Sequence, residues 1–276
     1  MKAPTERFSD RVENYVKYRP SYPPEVLDSL RENCGLKASS TVADIGSGTG
    51  IFTELVLRSG CRVFAVEPND EMRHAAERRL LSSPGFHSVP GAAEHTGLDS
   101  GSIEIVTSAQ AFHWFRKEEA QKEFHRILKT AGWVALVWNQ RSTQSPFQHA
   151  YDEVLRQLVP EYDAVNHRKV EVDDIVDFLD PGHYQCLTFK NCQQFDLDGL
   201  KGRMQSSSYT PASGRARLCR ADGRSRSCVP GARDSGTGSA RVRDTTTPWQ
   251  IGGRRTICCR RRGLTARLTR HVRPIG

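Results

Sequence analysis

Apolar positions between residues 24 and 138 recur in two alternating periods, which predict five short strands with helices between them. Pro24 suits a first helical position, and Val26, Leu27 and Leu30 give that helix one apolar face. Thr41-Val-Ala-Asp-Ile45 reads as a buried strand running into glycines. A helix opens at Ile51 and stops at Gly60. The second strand covers 61–66 and ends at Glu67-Pro68. Asn69 or Asp70 caps the next helix, on which Met72, Ala76 and Leu80 share a face. A weaker strand pattern lies at 86–89, and a fourth strand at 103–107. Ala120, Phe124, Ile127 and Leu128 mark a helix closed by Gly132, and 133–138 is the fifth strand.

Short apolar strands alternating with helices argue for an α/β fold: a Rossmann-like, doubly wound, mostly parallel sheet covered on both faces. Right-handed crossovers gather the strand C-termini on one edge, where ligands bind at the switch point beyond the first strand. Further on, Phe147, Ala150, Tyr151, Val154, Leu155 and Leu158 form a helical apolar face. Val172, Ile175, Val176 and Phe178 suggest another, and a sixth strand is expected at 183–189.

Composition alters this picture mainly at the C-terminal end. Of the 40 basic residues among 276, 16 lie in 215–276, all arginine, against three acids, so that segment carries +13. The remainder is mildly acidic at −5. Residues 215–276 contain no Lys, Glu, Asn, Phe, Tyr or Met, and their few apolar residues keep no period. Such a segment buries too little apolar surface to offset its ordering entropy, so a disordered basic tail is expected over 214–276, after a domain spanning 1–213. Three readings of the tail compete: a nucleic-acid arm, a solvated tail, and a shifted reading frame or misjudged splice. The last accounts for the simultaneous loss of Lys, Asn, Phe, Tyr and Met, whose triplets are A/T-rich. A working basic arm mixes Lys with Arg and carries aromatic stacking residues, so nucleic acid is not the expected partner.

No run approaches the ~20 apolar residues of a membrane helix, and no apolar h-region follows the N-terminus, so neither a membrane nor a secretory route is expected. Eight scattered cysteines without a Cys-x-x-Cys pair fit neither a disulfide scaffold nor a zinc ribbon. A reducing, cytoplasmic setting is the expectation.

Candidate chemistry begins at the first strand. Asp44-Ile-Gly46-Ser-Gly48-Thr-Gly50 follows it and opens a helix, and Glu67 ends the next strand 21 residues after Gly46. Glycines let the chain turn tightly and let a ligand approach the backbone. A carboxylate at the second strand's end can accept hydrogen bonds from both hydroxyls of a ribose. The third glycine is one place early for a dinucleotide fingerprint, and the Walker lysine is missing. Asp44 would repel a pyrophosphate but suits a ligand bearing an ammonium and a sulfonium.

These residues, with Tyr15-Val-Lys-Tyr-Arg19-Pro-Ser-Tyr-Pro23, Gly91-Ala-Ala-Glu94 and Ala109-Gln-Ala-Phe-His113-Trp114, resemble class I S-adenosylmethionine-dependent methyltransferases. The resemblance covers about residues 8–211 and leans to the small-molecule branch that includes trans-aconitate methyltransferases. It implies S-adenosyl-L-methionine as cofactor. Gly46, Gly48 and Gly50 would pass its methionine and ribose portion, Asp44 would orient the loop and cofactor, and Glu67 would hold the ribose hydroxyls. Met72 would pack on the adenine, with Ala93 and Glu94 at its edge. Gln110 and Ala111 would line the methionine side. Tyr15 and Arg19 would close the site from the N-terminal segment. For each residue a bland role competes: Met72 as core, Glu94 as a surface pair, His113-Trp114 as a structural aromatic pair. The histidines His74, His95 and His149 lack partners at ligand spacing, so no metal is assigned.

Methyl transfer is an in-line displacement in which the protein mainly aligns the reacting atoms. A carboxylate acceptor, with a pKa of about 4, needs no base near neutral pH but wants a cationic clamp, for which Arg19 and Arg141 are candidates. A hydroxyl or amine acceptor would use a base, and His113 is the candidate, with Trp114 beside it. The resemblance tilts the acceptor towards a small acid and methyl-ester formation, with 146–185 supplying a lid over it. The alternatives are a cofactor-binding protein acting on RNA through its Arg-rich end, and an inactive truncated methyltransferase. Family members end in a helix and a final strand that inserts beside the fifth. Nothing after Gly214 resembles either, so that last strand is expected to be missing.

Overall fold

The structure is a computed structural model and describes residues 17–141, 146–159, 162, 172–179, 184–206 and 249–261. The chain divides into two compact units. One comprises 22–138, 170–189 and 255–276, and the other 1–21, 139–169 and 190–254.

The first unit opens with α1 (Pro24–Cys34), which has proline in its first turn and ends at Gly35 in the left-handed conformation. Then come β1 (Thr41–Ile45), α2 (Ile51–Leu57), β2 (Arg62–Val66), α3 (Asp70–Leu80), β3 (Phe86–Val89) and β4 (Ile103–Ala109). A 3-10 turn (Phe112–Trp114), α4 (Lys117–Ile127) and β5 (Leu128–Arg141) follow. Beyond them lie α5 (Pro146–Leu158), α6 (Val172–Leu179), β6 (Gln185–Phe195), α7 (Leu197–Gln205) and β7 (Trp249–Arg261). The sheet order is β3-β2-β1-β4-β5-β7-β6, and the five strands from β3 to β5 pair in parallel. The expected doubly wound fold is therefore present, with its switch point between β1 and β4.

Strand alternation divides the core between the two sheet faces. Val42, Ile105, Ala135 and Val137 pack with Val26, Leu27 and Leu30 of α1 and Phe52, Leu55 and Val56 of α2. Ala43, Ile45, Val106, Leu136 and Trp138 join Ala120, Phe124 and Ile127 of α4 on the other face. Ile175, Phe178 and Leu179 of α6 complete that second cluster, and Gln121 Nε2 donates to the Phe178 carbonyl at 2.8 Å. Hence α6, expected within a lid, is a core element, because its three-residue apolar face is buried against α4. In the other unit Tyr151, Leu155, Val159 and Tyr162 cluster with Phe195 and Leu200.

Two expectations are corrected. The helix expected to run to Gly132 ends at Ile127, and β5 starts at Leu128. Ile103 faces Leu128 while Ile105 faces Trp133, so residues 129–132 bulge from the ladder. The turn signal was real but is absorbed by the strand. Second, a strand expected to be missing is present, since β7 lies between β5 and β6. That slot offers rows of backbone N–H and C=O groups on both sides, and filling it depends on the backbone more than on composition. Trp249, Ile251, Thr256 and Ile257 are residue types that suit strands. The rest of the expected tail, 214–248 and 262–276, lies outside the described residues. Among the described residues no helix is long and apolar enough to cross a membrane.

Candidate functional site

The site is built where β1 meets its glycine loop. Gly46, Gly48 and Gly50 have φ of 69°, 56° and 77°, the left-handed region that glycine enters without a Cβ penalty. The N–H groups of Gly46 and Ser47 both donate to the Val66 carbonyl, at 2.9 and 3.1 Å, which pins the loop to the end of β2. Gly50 then caps α2. A Cβ on Gly46 would stand 2.4 Å from the Ala111 Cβ and 3.6 Å from the Phe115 ring, so this glycine lies flat against the segment after β4. At Gly48 the only neighbour of such a Cβ among the described residues would be Met72 Cε at 3.5 Å. The most open glycine of the loop thus faces the buried methionine of α3.

Glu67 ties four segments together. Its carboxylate accepts from the Gly48 N–H (Oε2, 2.9 Å) and the Asn69 N–H (Oε1, 2.9 Å). Its own N–H donates to the Val89 carbonyl at 3.1 Å, and Arg73 Nη1 donates to its carbonyl at 3.3 Å. Burial pushes the Glu67 pKa above the ordinary carboxylate range. The Asn69 and Gly48 N–H groups and the Arg73 charge pull it down, while Asp44 pushes it up. A carboxylate has about four lone-pair sites, and two are used here. Two remain, which matches the vicinal diol of a ribose.

Asp44 is fully buried, and both its oxygens are engaged: Thr53 Oγ1 of α2 donates at 2.6 Å and Thr107 Oγ1 of β4 at 3.0 Å. Burial raises its pKa from 3.8 to about 6, against the pull of the two hydroxyls. The folded chain holds this proton more tightly than the unfolded chain. The associated stability is full below pH 3.8 and is lost as pH rises through about 6, amounting to about 3 kcal/mol. Asp44→Asn is expected to remove that dependence, because an amide stays neutral and still bonds both hydroxyls. Urea unfolding of both proteins between pH 4 and 8 checks it; a difference that stays constant with pH would contradict the assignment.

Gln110, after β4, is the only non-glycine residue at positive φ (62°) among the described residues, held by its N–H donating to the Val137 carbonyl at 3.0 Å. Strain of this kind costs about 1–3 kcal/mol and is concentrated at functional sites. Its Nε2 is buried without a partner among the described residues, as are Ser47 Oγ, Thr49 Oγ1 and Ser108 Oγ. All four belong to the glycine loop or to the end of β4. Buried polar groups without partners are uncommon, and together with the open lone pairs of Glu67 they fit a polar ligand such as a ribosylated amino acid.

The remaining sequence candidates fall as follows. Met72 and Ala93 are buried, Ala93 within the core cluster around Ile45 and Val66. Glu94 Oε1 accepts from the Arg116 N–H at 2.7 Å. Ala111 lies against Gly46, as above. His113 and Trp114 stand on the turn after β4, with ring centroids 4.5 Å apart, and His113 meets the buried Trp138 edge-on at 5.3 Å. Arg19 belongs to the second unit, where Nη2 donates to the Ser206 carbonyl at 3.0 Å beyond α7. Tyr15 lies outside the described residues, as does the side chain of Arg141 at the end of β5. Sequence reasoning missed Thr53, Thr107, Phe115 and Arg73. For the threonines the signal was available: a polar residue inside a buried apolar run needs a partner, and Asp44 was the nearest candidate.

Residues 43–136 match the family described as a methyltransferase domain. An uncharacterized methyltransferase of Schizosaccharomyces pombe is 31% identical over 149 residues, covering 54% of this chain and 58% of that protein. An uncharacterized methyltransferase of Mycobacterium tuberculosis is 35% identical over 148 residues, with the same shares. The chain thus spans less than two thirds of the length of these relatives. Among solved structures, a candidate type II methyltransferase of Anaeromyxobacter dehalogenans has a TM-score of 0.62 at 20% identity, over 88% of this chain and 98% of that one. YcgJ of Bacillus subtilis gives 0.52 at 16% identity, over 87% and 99%. These two likenesses concern the fold.

Proposed function

We propose that this chain, which carries a class I S-adenosylmethionine-dependent methyltransferase domain, moves a methyl group from that cofactor to a small-molecule acceptor. The observation that carries the reading is the Glu67 carboxylate, bound to the Gly48 N–H and keeping two lone-pair sites for a ribose diol.

In this reading Glu67 holds the ribose, Gly48 and Met72 accommodate the adenosyl portion, and Ala93 and Glu94 flank the adenine. Gln110, Ala111 and the loop hydroxyls face the methionine portion. Asp44 acts through Thr53 and Thr107, fixing α2 and β4 to the first strand. When bound, S-adenosylmethionine supplies a methyl carbon already activated on a sulfonium, whose C–S electron pair leaves with sulfur. The chain's task is to align the acceptor and exclude water.

The acceptor we favour is a small carboxylate, giving a methyl ester. Its oxygen supplies the bonding pair and no proton has to move near neutral pH, since its pKa is about 4. Trp114, on the turn after β4, is a candidate wall for it. His113 would take a proton only from a hydroxyl or amine acceptor. Calorimetry with S-adenosylhomocysteine, then labelled methyl transfer onto a panel of carboxylic acids, alcohols and amines, tests the reading. Base-labile label on acids is the expected result. Absence of binding removes the proposed function, and label on amines alone removes the carboxylate.

A further inference from the structure

Arg73 is a charged residue of α3 that neither the fold nor the motif reading requires, yet its side chain is only 14% exposed. A long cation is not held that far from water without partners. Its Nη1 donates to the Glu67 carbonyl at 3.3 Å, its Nη2 pairs with Asp70 at 2.6 Å, and its Nε lies 3.7 Å from Glu77. Glu77 Oε1 in turn accepts from Ser88 Oγ of β3 at 2.6 Å. The guanidinium is therefore aimed at the end of β2 and fixed there from both α3 and β3.

The charged groups facing Glu67 are few. From β1 comes Asp44, fully buried, and from α3 comes Arg73; Asp70 and Glu77 act on it only as partners of Arg73. Two carboxyls at one dry sheet edge cannot both ionise cheaply without a cation nearby. Arg73 is that cation.

We propose that Arg73 is a positioning residue for Glu67, holding the end of β2 and keeping the Glu67 carboxylate ionised so that it accepts the ribose diol of an adenosyl ligand. This rests on the methyltransferase reading for its ligand, but not for its electrostatics. Burial and Asp44 both disfavour the charged Glu67, while Arg73 and two backbone N–H groups favour it. Without Arg73 the carboxyl stays protonated to higher pH. A carboxylic acid offers fewer acceptor sites and a weaker one to each ribose hydroxyl.

Two measurements on the full chain decide this. In ligand-free protein, the carboxyl carbon resonance of Glu67, identified by its loss in Glu67→Gln, is followed from pH 4 to 9. Arg73→Met is expected to raise its midpoint, and Arg73→Lys to raise it less. Calorimetry with S-adenosylhomocysteine then shows Arg73→Met weakened at least tenfold on the acid side of that midpoint, recovering towards the unsubstituted affinity on its alkaline side. A merely structural role would lower affinity equally at every pH. An unmoved Glu67 midpoint in Arg73→Met overturns the proposal. If Arg73→Met fails to fold, Arg73→Gln, which keeps donors but not charge, makes the same comparison. If the unsubstituted chain binds no S-adenosylhomocysteine, the methyltransferase reading falls, while the resonance measurement still decides the role of Arg73.

Discussion

Glu67→Ala is expected to abolish measurable binding of S-adenosylmethionine and S-adenosylhomocysteine. A ribose diol would lose two hydrogen bonds to a charged acceptor, each worth about 1.5–3 kcal/mol, which together correspond to a weakening of roughly 10²- to 10⁴-fold. The substitution also leaves the buried N–H of Asn69 without its acceptor, costing about 1–3 kcal/mol in the free protein, and less for the half-buried N–H of Gly48. Thermal melting should therefore fall along with affinity. Glu67→Gln separates the two effects: one amide oxygen can still accept from the loop, so stability is largely kept while the charge-dependent share of binding is lost. Calorimetry and melting on both variants check this. Unchanged affinity in Glu67→Ala would remove Glu67 from the site.

The second large effect is expected at Gly46. Alanine there places a Cβ 2.4 Å from the Ala111 Cβ and forces a side chain into φ of 69°. The left-handed conformation costs about 1–2 kcal/mol for a residue with a Cβ, and overpacking adds about 1–3 kcal/mol. Relief can come only by separating the glycine loop from the segment after β4. Gly46→Ala should therefore lose several kcal/mol of stability in urea titration, together with cofactor affinity. Ala111→Gly in the same chain restores the space but not the conformational freedom. The double variant is expected to regain the packing share and retain a deficit of about 1–2 kcal/mol. If Ala111→Gly rescues nothing, the steric account is wrong.

Much of this was legible in the residues, for reasons that also explain what was not. The strands β1, β2 and β4 announce themselves because buried strands are short apolar runs, and two helices open at the signals Pro24 and Asn69, while the helix expected to stop at Gly60 already ends at Leu57. The pairing of the glycine loop with Glu67 is equally local, since a strand, a turn and a helix fix the distance to the next strand's end. The placing of β7 was not legible. Its slot is created by β5 and β6, far away in sequence, and the arginines around it mask whatever apolar periodicity it has. The same limit hid Thr53 and Thr107, which matter only because β1, α2 and β4 converge on Asp44. Arg73 carries no signal of its own on a charged helix and matters only because the fold turns it to the end of β2.

The sheet order carries a consequence for how the chain is made. The strand between β5 and β6 is drawn from residues 249–261, so it leaves the ribosome after both of its neighbours. While those residues are still in the exit tunnel, the β1–β5 ladder can already be complete, whereas β6 has no neighbour to dock on. Folding of the nascent polypeptide should therefore proceed in two stages, with adenosyl-binding competence preceding closure of the β6 edge.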